Sequence, residues 1–505
     1  MKNFKRIIAL GLASTMLLGL VGCGSKASGD GAKADSASGY DQVTYAYCTF
    51  NNIPTEEDLD VVEEAINVIT REKINAEITL MPISIAEYSQ KVSLALQGGQ
   101  KIDVFQSLGD LGNCIATDMC LDITDLYAEN AKETQDTIPA SWLDACKSNG
   151  KLYGVPTYKP VALTPMVLYR QDIADELGLD MSSVNSIDDI TAILEQVKAA
   201  KPEMTPLAPV QAGNLGTVLT MEEIDYLNDD YYTPIGGLIG NNYDVVDLYS
   251  SDNFAHICEL SRYWYENDLV MKDAATTTSM AAELMASGNY FCYVAAYSYP
   301  EADTAAQISA QCNGIDLGAK IIGDAYLSTT DINALTWMVA STSDVPEAAM
   351  KFINLTMTDA DVINLLINGI EGRDYILVDG CVAYPEGQDS TTVPYTAALS
   401  CGTLGNFFLM YPGAGTNPDS LAWELEQNEV AKVSPAMGFT FDTSALNTQY
   451  TAVKNVINQY LPGLLCGSLD PKTEIPAFVE ALNGAGYQDI LAAKQEQLDA
   501  WKATK

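Results

Sequence analysis

The chain has 505 residues, of which 67 are acidic and 27 are basic, so its formal net charge is −40. A chain of this length exceeds one small hydrophobic core, and we expect two or three lobes. The acidic excess leaves no basic patch for phosphate groups, which argues against a nucleic-acid partner.

The N-terminus predicts a secretory signal peptide over residues 1–22. A basic region containing Lys5 and Arg6 precedes an apolar run from Ile7 to Leu20, which is too short to span a membrane. The following Leu20-Val21-Gly22-Cys23 resembles the bacterial lipobox, in which the cysteine is acylated and becomes the first mature residue. We therefore predict a lipid anchor such as palmitate on Cys23. A plain secretory peptide with an unrelated cysteine is the alternative.

Residues 23–40 form a tract of small and polar residues that cannot bury enough surface to order itself, and we interpret it as a flexible tether. The globular part is predicted to begin at Asp41. No later segment is long and apolar enough to span a bilayer, so we expect this part to lie outside the membrane.

The cysteines and the histidine predict neither a metal site nor a cofactor. The eleven cysteines include Cys23, none of them forms a Cys-x-x-Cys pair, and His256 is the only histidine. We interpret His256, on a predicted helix without a nucleophile motif nearby, as structural or exposed. The other cysteines could form disulfides or could remain free and buried, and both alternatives stay open.

Strand and helix patterns alternate along the globular part, which favours an α/β fold. Thr55 is the predicted N-cap of the first helix, with Asp58 three residues later. Residues 204–249 are loop-rich. Strands are predicted at 43–47, 74–80, 102–106, 161–169, 290–296 and 335–340, and helices at 88–96, 187–199, 254–267, 281–286 and 346–357.

The stretch at 150–160, Gly-Lys-Leu-Tyr-Gly-Val-Pro-Thr-Tyr-Lys-Pro, predicts a strand that crosses between two lobes. Gly150 and Gly154 permit backbone angles that other residues avoid, while Pro156 and Pro160 favour extended geometry before them. The ring of Tyr158 would then be exposed at the mouth of the cleft. The alternative is an ordinary loop within one domain.

Several motifs in a fixed order resemble family 1 extracellular solute-binding proteins, the receptors of bacterial ABC importers, many of them for oligosaccharides. After the lipobox come Gly150–Pro156, the Tyr169-Arg170-x-Asp172 run and Ser343–Lys351. Further matches near the C-terminus resemble the LipO-like lipoproteins with a C-terminal domain of unknown function. These matches are Asn368–Tyr375, Met437–Asp442, Gly467–Pro471 and Gln495–Trp501.

The resemblance implies an α/β, two-lobed, type II periplasmic-binding-protein-like fold, with discontinuous lobes joined by hinge strands. Lobe one would comprise 41–155 plus 333–368. Lobe two would comprise 156–332 plus 369–505, including the LipO-like region. The implied protein is a monomer, anchored by lipid to the extracellular face of the cell membrane. It would deliver an oligosaccharide to ABC permease subunits by hinge closure, without catalysis.

A secreted glycoside hydrolase with two carboxylates is the alternative function. With 67 acidic residues some pair will always lie close together, so acid count does not support it. The sequence has no Gly-x-Ser-x-Gly, His-Glu-x-x-His or phosphate-binding glycine loop. We therefore predict a binding protein rather than an enzyme.

Sugars present a flat C–H face to aromatic rings and a rim of hydroxyls to polar side chains, so candidate ligand residues lie on loops at strand ends. For each tyrosine the alternative is packing; Trp337 could be core and Arg373 could form a structural ion pair. The resemblance singles out Asp110, because family members place a polar contact after that strand. The predicted ligand-binding residues are Tyr47, Ser107, Asp110, Tyr158, Tyr297, Tyr299, Trp337, Arg373, Asn406, Phe407 and Tyr411.

Overall fold

Two β-sheets organise the chain in the computed structural model, which describes residues 39–49, 53–217, 223–229, 231–397, 403–413, 417 and 419–505. The predicted signal peptide, Cys23 and nearly all of the predicted tether lie outside these residues. The strands are, in chain order, β1 (Asp41–Thr49), β2 (Ala76–Ser84), β3 (Val104–Gln106), β4 (Lys147–Ser148), β5 (Lys151–Leu152), β6 (Val155–Pro156), β7 (Thr164–Arg170), β8 (Thr205–Leu207), β9 (Ile224–Asp225), β10 (Leu238–Ile239), β11 (Tyr290–Tyr297), β12 (Leu317–Ile321), β13 (Tyr326–Leu327), β14 (Thr336–Val339), β15 (Ile376–Val378), β16 (Cys381–Ala383) and β17 (Lys432–Val433).

Helices surround both sheets, as expected for strands buried on both faces. They are α1 (Glu56–Ile74), α2 (Tyr88–Gln97), α3 (Leu111–Ala116), α4 (Thr124–Asn130), α5 (Lys132–Thr137), α6 (Ala140–Asp144), α7 (Gln171–Leu177), α8 (Ile190–Ala200), α9 (Asp252–Glu266), α10 (Ala281–Ala286), α11 (Glu301–Gln311), α12 (Thr329–Asn333), α13 (Pro346–Thr358), α14 (Ala360–Asn368), α15 (Asp419–Val430), α16 (Asn447–Leu465), α17 (Pro471–Gly484) and α18 (Tyr487–Lys502).

The first sheet has five strands in the order β2-β1-β3-β14-β6. Strands β1, β2 and β3 are parallel, and β14 runs antiparallel to both β3 and β6. The second sheet has four strands in the order β12-β7-β11-β8. There β7 is antiparallel to β11 and β12, while β8 is parallel to β11. The predicted α/β class is confirmed.

Buried apolar residues form separate clusters around the two sheets. The first cluster covers β1, β3 and β14 with α13 and α14, and it also includes Tyr395, Leu404 and Met410 from the later part of the chain. The second packs one face of the four-stranded sheet against α9 and α16–α18, and a smaller third cluster packs the other face against α11. The division of the sequence into lobes stays a prediction.

Local sequence chemistry accounts for many element ends. Thr55 caps α1, its Oγ1 accepting a hydrogen bond from the Asp58 N–H at 3.2 Å, as the capping pattern predicts. Helix α10 has the predicted bounds. Strand β3 is shorter than predicted because Ile102 and Asp103 precede it outside the ladder, and the loop-rich region contains the short strands β8, β9 and β10.

The nine described cysteines are all free and buried, which for these residues settles the alternative left open by the sequence. In the part of the chain that the structure describes, no helix combines the length and apolar character required to cross a membrane. The single histidine lies on α9 with its side chain about half exposed, and its Nε2 is 2.8 Å from Asp188 Oδ1. This is a surface contact.

Candidate functional site

The chain passes between the two sheets where strands end, and we use the word edge for the side of a sheet that these strand ends form. Strand β6 ends at Pro156 in the first sheet, and β7 begins at Thr164 in the second. The return connection leaves β12 at Ile321 and enters β14 at Thr336. Thr336 pairs with Pro156, and Thr164 pairs with Tyr297 at the end of β11, so both connections meet the same two edges. Ligands of α/β proteins bind at such strand ends, and we call this region the crossover face.

Ser107 and Asp110 lie on the turn that follows β3 at this edge. The Ser107 N–H donates to the Thr336 carbonyl at 2.9 Å, and its buried hydroxyl has no hydrogen-bond partner among the described residues. Leu108 and Gly109 both have positive φ, 44° and 82°. A leucine in this conformation is strained, which is typical of functional turns. Asp110 is exposed at the start of α3.

Tyr158 directly follows the crossing point, but its ring is buried and not exposed at a cleft mouth as predicted. Only 8 % of the residue is accessible. The ring centroid lies 5.4 Å from that of Trp142 and 5.2 Å from that of Phe408, and burial raises the pKa of its hydroxyl. Phe408 comes from a distant part of the sequence and Trp142 from another element, α6, so the local pattern could not reveal this packing.

A backbone hydrogen bond places Asn406 and Phe407 next to Tyr158. The Phe407 N–H donates to the Tyr158 carbonyl at 2.8 Å. Asn406 is buried, and its amide is already used: Nδ2 donates to the Met357 carbonyl at 3.0 Å, and Oδ1 accepts from the Phe408 N–H at 3.0 Å. Asn406 therefore shapes the crossover face as a turn residue, whereas half-buried Phe407 retains accessible ring surface.

Tyr297 and Tyr299 lie at the end of β11, on the opposite side of the crossing. Both are half-buried, and the Tyr297 hydroxyl is 2.7 Å from that of Tyr293. Ser298, between them, donates from Oγ to Glu424 Oε1 at 3.0 Å. Glu424 is buried; this burial raises the pKa of its carboxyl to about 7, while the Ser298 hydrogen bond opposes the shift.

Helix α15, which carries Glu424, is hydrogen-bonded to the chain on both sides of the crossing. Asn428 Oδ1 accepts from the N–H groups of Val161 and Ala162 at 3.0 and 3.2 Å, and its Nδ2 donates to the Lys159 carbonyl at 2.9 Å. One helix thus forms hydrogen bonds with both the crossing segment, residues 157–163, and the residue that follows β11, Ser298. Glu424 and Asn428 were not among the predicted site residues, because nothing local in the sequence distinguishes them from other polar residues on a helix.

Tyr47 and Trp337 are core residues, so their prediction as ligand contacts is corrected. Neither has accessible surface. Tyr47 lies within β1, and its hydroxyl is 3.1 Å from that of Tyr395. Trp337 lies within β14 and stacks on Tyr45 at a centroid distance of 4.4 Å. Their side chains fill the first core and cannot contact a ligand in this conformation.

Arg373 and Tyr411 lie away from the crossing. Arg373 forms ion pairs with Asp58, at the start of α1, and with the buried Asp374, which matches the structural alternative. Tyr411 is 40 % exposed, and its N–H donates to the Asn364 Oδ1 at 2.9 Å. The structure therefore brings Ser107, Tyr158, Asn406, Phe407, Tyr297 and Tyr299 to the crossing, with Asp110 on the adjoining turn.

The crossover face offers aromatic rings, hydroxyls and backbone groups, which suit recognition of a polar ligand with apolar faces. No group of histidine, cysteine, aspartate and glutamate side chains in the described parts of the chain could hold a metal ion.

Comparison with known families decides what kind of protein this is. The sequence profile described as "Bacterial extracellular solute-binding protein" matches residues 64–370, more than half of the chain. The chain belongs to this family. Solute-binding proteins are not enzymes, and membership of the family confirms the prediction of an extracellular, non-catalytic binding protein. A second profile, described as "Domain of unknown function (DUF3502)", matches residues 435–503, which we call the C-terminal domain.

Full-length relatives carry the same architecture. This solute-binding protein is 24% identical over 512 residues, covering 100% of both chains, to a carbohydrate ABC transporter substrate-binding protein of Streptococcus pneumoniae serotype 4. The crystal structure of the N-glycan transport solute-binding protein NgtS from Streptococcus pneumoniae aligns with a TM-score of 0.76 at 21% identity, covering 91% of this chain and 98% of that one. An HMO-binding, ABC-transporter-associated protein from Bifidobacterium longum infantis gives 0.64 at 15% identity, covering 92% and 99%. These structures confirm the two-lobed fold.

Proposed function

We propose that this protein is a lipid-anchored receptor that binds an oligosaccharide and delivers it to the permease subunits of an ABC importer. The observation that carries the proposal is the crossover face. It presents two half-buried rings, Phe407 next to Tyr158 and Tyr297 at the end of β11. On the turn after β3, the buried Ser107 hydroxyl has no hydrogen-bond partner among the described residues. Rings stack on the C–H faces of sugars, and hydroxyls bond the rim.

The named relatives support the same ligand class. The full-length relative is a carbohydrate ABC transporter substrate-binding protein, and NgtS has been solved with Man1GlcNAc and Man5GlcNAc. We extend a carbohydrate ligand and an importer partner to this chain on that basis. Asp110, Tyr297, Tyr299 and Phe407 remain our proposed contacts, because each retains accessible surface at or next to the crossing. Ser107 is proposed with them for its hydroxyl, which has no hydrogen-bond partner among the described residues.

Closure about the crossing is the proposed mechanism. Lobe one would comprise 41–155 plus 333–368, and lobe two 156–332 plus 369–505, with the crossing segment 157–163 as one hinge connection. A ligand that contacts both lobes only when they close shifts the equilibrium toward the closed form. That form would dock, as a monomer, on the permease, and an acylated Cys23 would hold the receptor at the extracellular face of the cell membrane.

Calorimetric titration of the soluble part, residues 41–505, tests the proposal. The panel should contain Man1GlcNAc, Man5GlcNAc, kestose and a neutral milk tetrasaccharide. We expect one class to bind with a raised melting temperature, because a ligand of the folded state stabilises it by mass action. After incubation the glycan should be intact by mass spectrometry. Absence of binding heat and of a melting shift across the panel would refute the oligosaccharide ligand, and cleavage of the bound glycan would refute a receptor role.

A further inference from the structure

A cavity of about 150 Å³ lies between the loop at 211–214, the tyrosine-rich segment made of the described residues 224–229 and 231–234, and helix α16. This is far more than the roughly 15 Å³ that one water requires, and less than the roughly 300 Å³ of a complete small-molecule pocket. The cavity therefore has room for one unit of a larger ligand. None of the residues assigned to the crossover face lines it.

Three tyrosine rings form one wall of the cavity. Tyr226 and Tyr231 have centroids 5.7 Å apart at an interplanar angle of 79°, and Tyr231 and Tyr232 are 5.3 Å apart at 89°. Tyr232 is 51% exposed, whereas the Tyr231 hydroxyl is buried and has no hydrogen-bond partner among the described residues. A buried hydroxyl without a partner is costly, and an occupant with hydroxyl groups would remove that cost.

The remaining polar lining is neutral. Gln211, Asn214 and Asn458 contribute amide side chains, and no charged residue is among the described residues that line the cavity. Asn214 is fixed in place, since its Oδ1 accepts from the Gly216 N–H at 2.7 Å. Rings together with neutral amides suit a polyol with a C–H face, and they offer no counter-charge to an anionic or cationic ligand.

The loop at 211–214 that lines the cavity follows β8 toward the edge of the second sheet that forms the crossover face. Strand β8 is parallel to β11, so the chain after Leu207 runs toward the same edge as Tyr297. It then packs closely against β11, because a Cβ added at Gly216 would lie 2.2 Å from the Val294 carbonyl oxygen. An extended ligand that starts at the crossover face can therefore continue along this edge.

The C-terminal domain supplies the opposite wall. Asn458, Leu461, Pro462 and Leu465 on α16 line the cavity and fall within the matched residues 435–503. The contact with the loop is close, since a Cβ at Gly213 would lie 2.7 Å from Pro462 Cβ. The domain of unknown function therefore contributes surface to a space that also belongs to the solute-binding part of the chain.

We propose that this cavity is a subsite for one neutral sugar unit of the oligosaccharide, with the C-terminal domain as one of its walls. The subsite rests on the proposed function. It adds that the bound sugar unit is neutral and that the C-terminal domain takes part in binding it. It also predicts a dependence on chain length, because a disaccharide held at the crossover face leaves the cavity unused.

Two variants that alter the cavity in opposite ways test the subsite. Tyr232→Ala removes a largely exposed ring, and Ala212→Trp adds a ring at an exposed lining position, so neither disturbs the core. Tyr263→Ala and Ala199→Trp, at exposed positions on α9 and α8, are the matched controls. Calorimetry with Man1GlcNAc, Man5GlcNAc and kestose, together with melting temperatures, compares all five proteins.

We expect Tyr232→Ala to weaken binding of the longest glycan bound by the wild type by about fivefold to tenfold, the effect of one lost stacked ring. Ala212→Trp should weaken it at least as much, because the added ring would occupy the space of the sugar unit. Binding of a disaccharide and the control variants should be unchanged. If the wild type binds and both cavity variants bind equally well at every length, the subsite is refuted while the proposed function stands. If the wild type binds neither these three glycans nor the milk tetrasaccharide, the proposed function fails and the subsite with it.

Discussion

Lys494 places its buried ammonium group against the carboxylate of Asp229, with Nζ and Oδ2 2.5 Å apart. The exposed fractions of the two side chains are 0% and 2%. The Ile235 N–H donates to the same carboxylate oxygen at 2.6 Å, and the Tyr450 hydroxyl donates to the other. Because Lys494 and Tyr450 belong to the C-terminal domain, this buried ion pair fastens that domain to the tyrosine-rich segment.

Replacing Lys494 by Met should lower the free energy of unfolding by about 3–5 kcal/mol, because Asp229 is left as an uncompensated buried charge. The double variant Lys494→Met with Asp229→Leu should recover part of that loss. Lys472→Met, at an exposed position on α17, is the control and should change stability by less than about 0.5 kcal/mol. Urea unfolding measures all three, and equal losses for Lys494→Met and Lys472→Met would contradict the prediction.

Glu424 should make stability depend on pH. Burial raises its folded-state pKa from 4.5 to about 7, with Asp303 adding to the shift. The folded state therefore holds the proton more tightly, so the contribution of Glu424 to stability is greatest below pH 4.5, falls as the pH rises toward 7, and is constant above. Glu424→Gln should flatten the profile in that window. The exposed Glu426→Gln should not, and an unchanged slope in the Glu424 variant would exclude this assignment.

We expect the ring of Tyr158 to contribute more to the free energy of unfolding than to the affinity for a ligand. Its ring packs between Trp142 and Phe408, so Tyr158→Ala should cost about 3 kcal/mol of unfolding free energy through the cavity it leaves. Tyr158→Phe retains the ring and should stay close to the wild type. Denaturant unfolding and calorimetric titration on the same samples separate the two effects. A stable Tyr158→Ala variant with weaker glycan binding would contradict this expectation and indicate that the ring contacts the ligand.

Cys23→Ser should release the protein from the cell membrane. If the lipobox is used, the variant cannot be acylated and should appear in the medium or accumulate as an uncleaved precursor. Fractionation followed by mass spectrometry of the N-terminus distinguishes these forms. Membrane-bound Cys23→Ser protein of mature mass would show that another feature provides the anchor.

If the proposed function holds, saturation with a glycan that the protein binds should make residues 41–505 more compact. Closure about the crossing segment reduces the radius of gyration, which small-angle scattering measures with and without ligand. A glycan of the panel that gives no binding heat serves as the control for solvent effects. Tight binding with unchanged dimensions would argue against hinge closure.

Local sequence chemistry was sufficient to predict where many helices and strands begin and end. The Thr55 cap, the glycines after α2 and the proline at the first turn of α13 mark element ends through interactions between neighbours in sequence. The family resemblance then supplied the two-lobed arrangement, which no single motif determines. Packing between distant segments could not be predicted in this way, as Tyr158 illustrates.

The candidate site was predicted only in part, for the same reason. Ser107 and Tyr297 follow from strand ends, because a strand end is a local property. The core positions of Tyr47 and Trp337 depend on which face of a strand meets the helices, and two aromatic residues near strand ends look alike in sequence. Arg373 was ambiguous because its partner Asp58 lies on a helix hundreds of residues earlier.

The nine described thiols, all buried, make this solute-binding protein suitable for conversion into a fluorescent reporter of its ligand. A maleimide reacts with an accessible thiolate, and burial both hides a sulfur and suppresses its ionisation; the pKa of Cys146, for example, is raised to about 12. Cys23 and Cys401 are the two cysteines outside the described residues. Once both are replaced, a cysteine introduced at exposed Ala199 should be the preferred site of labelling. A second dye placed across the crossing would then report lobe movement in real time, without displacing any sulfur from the core.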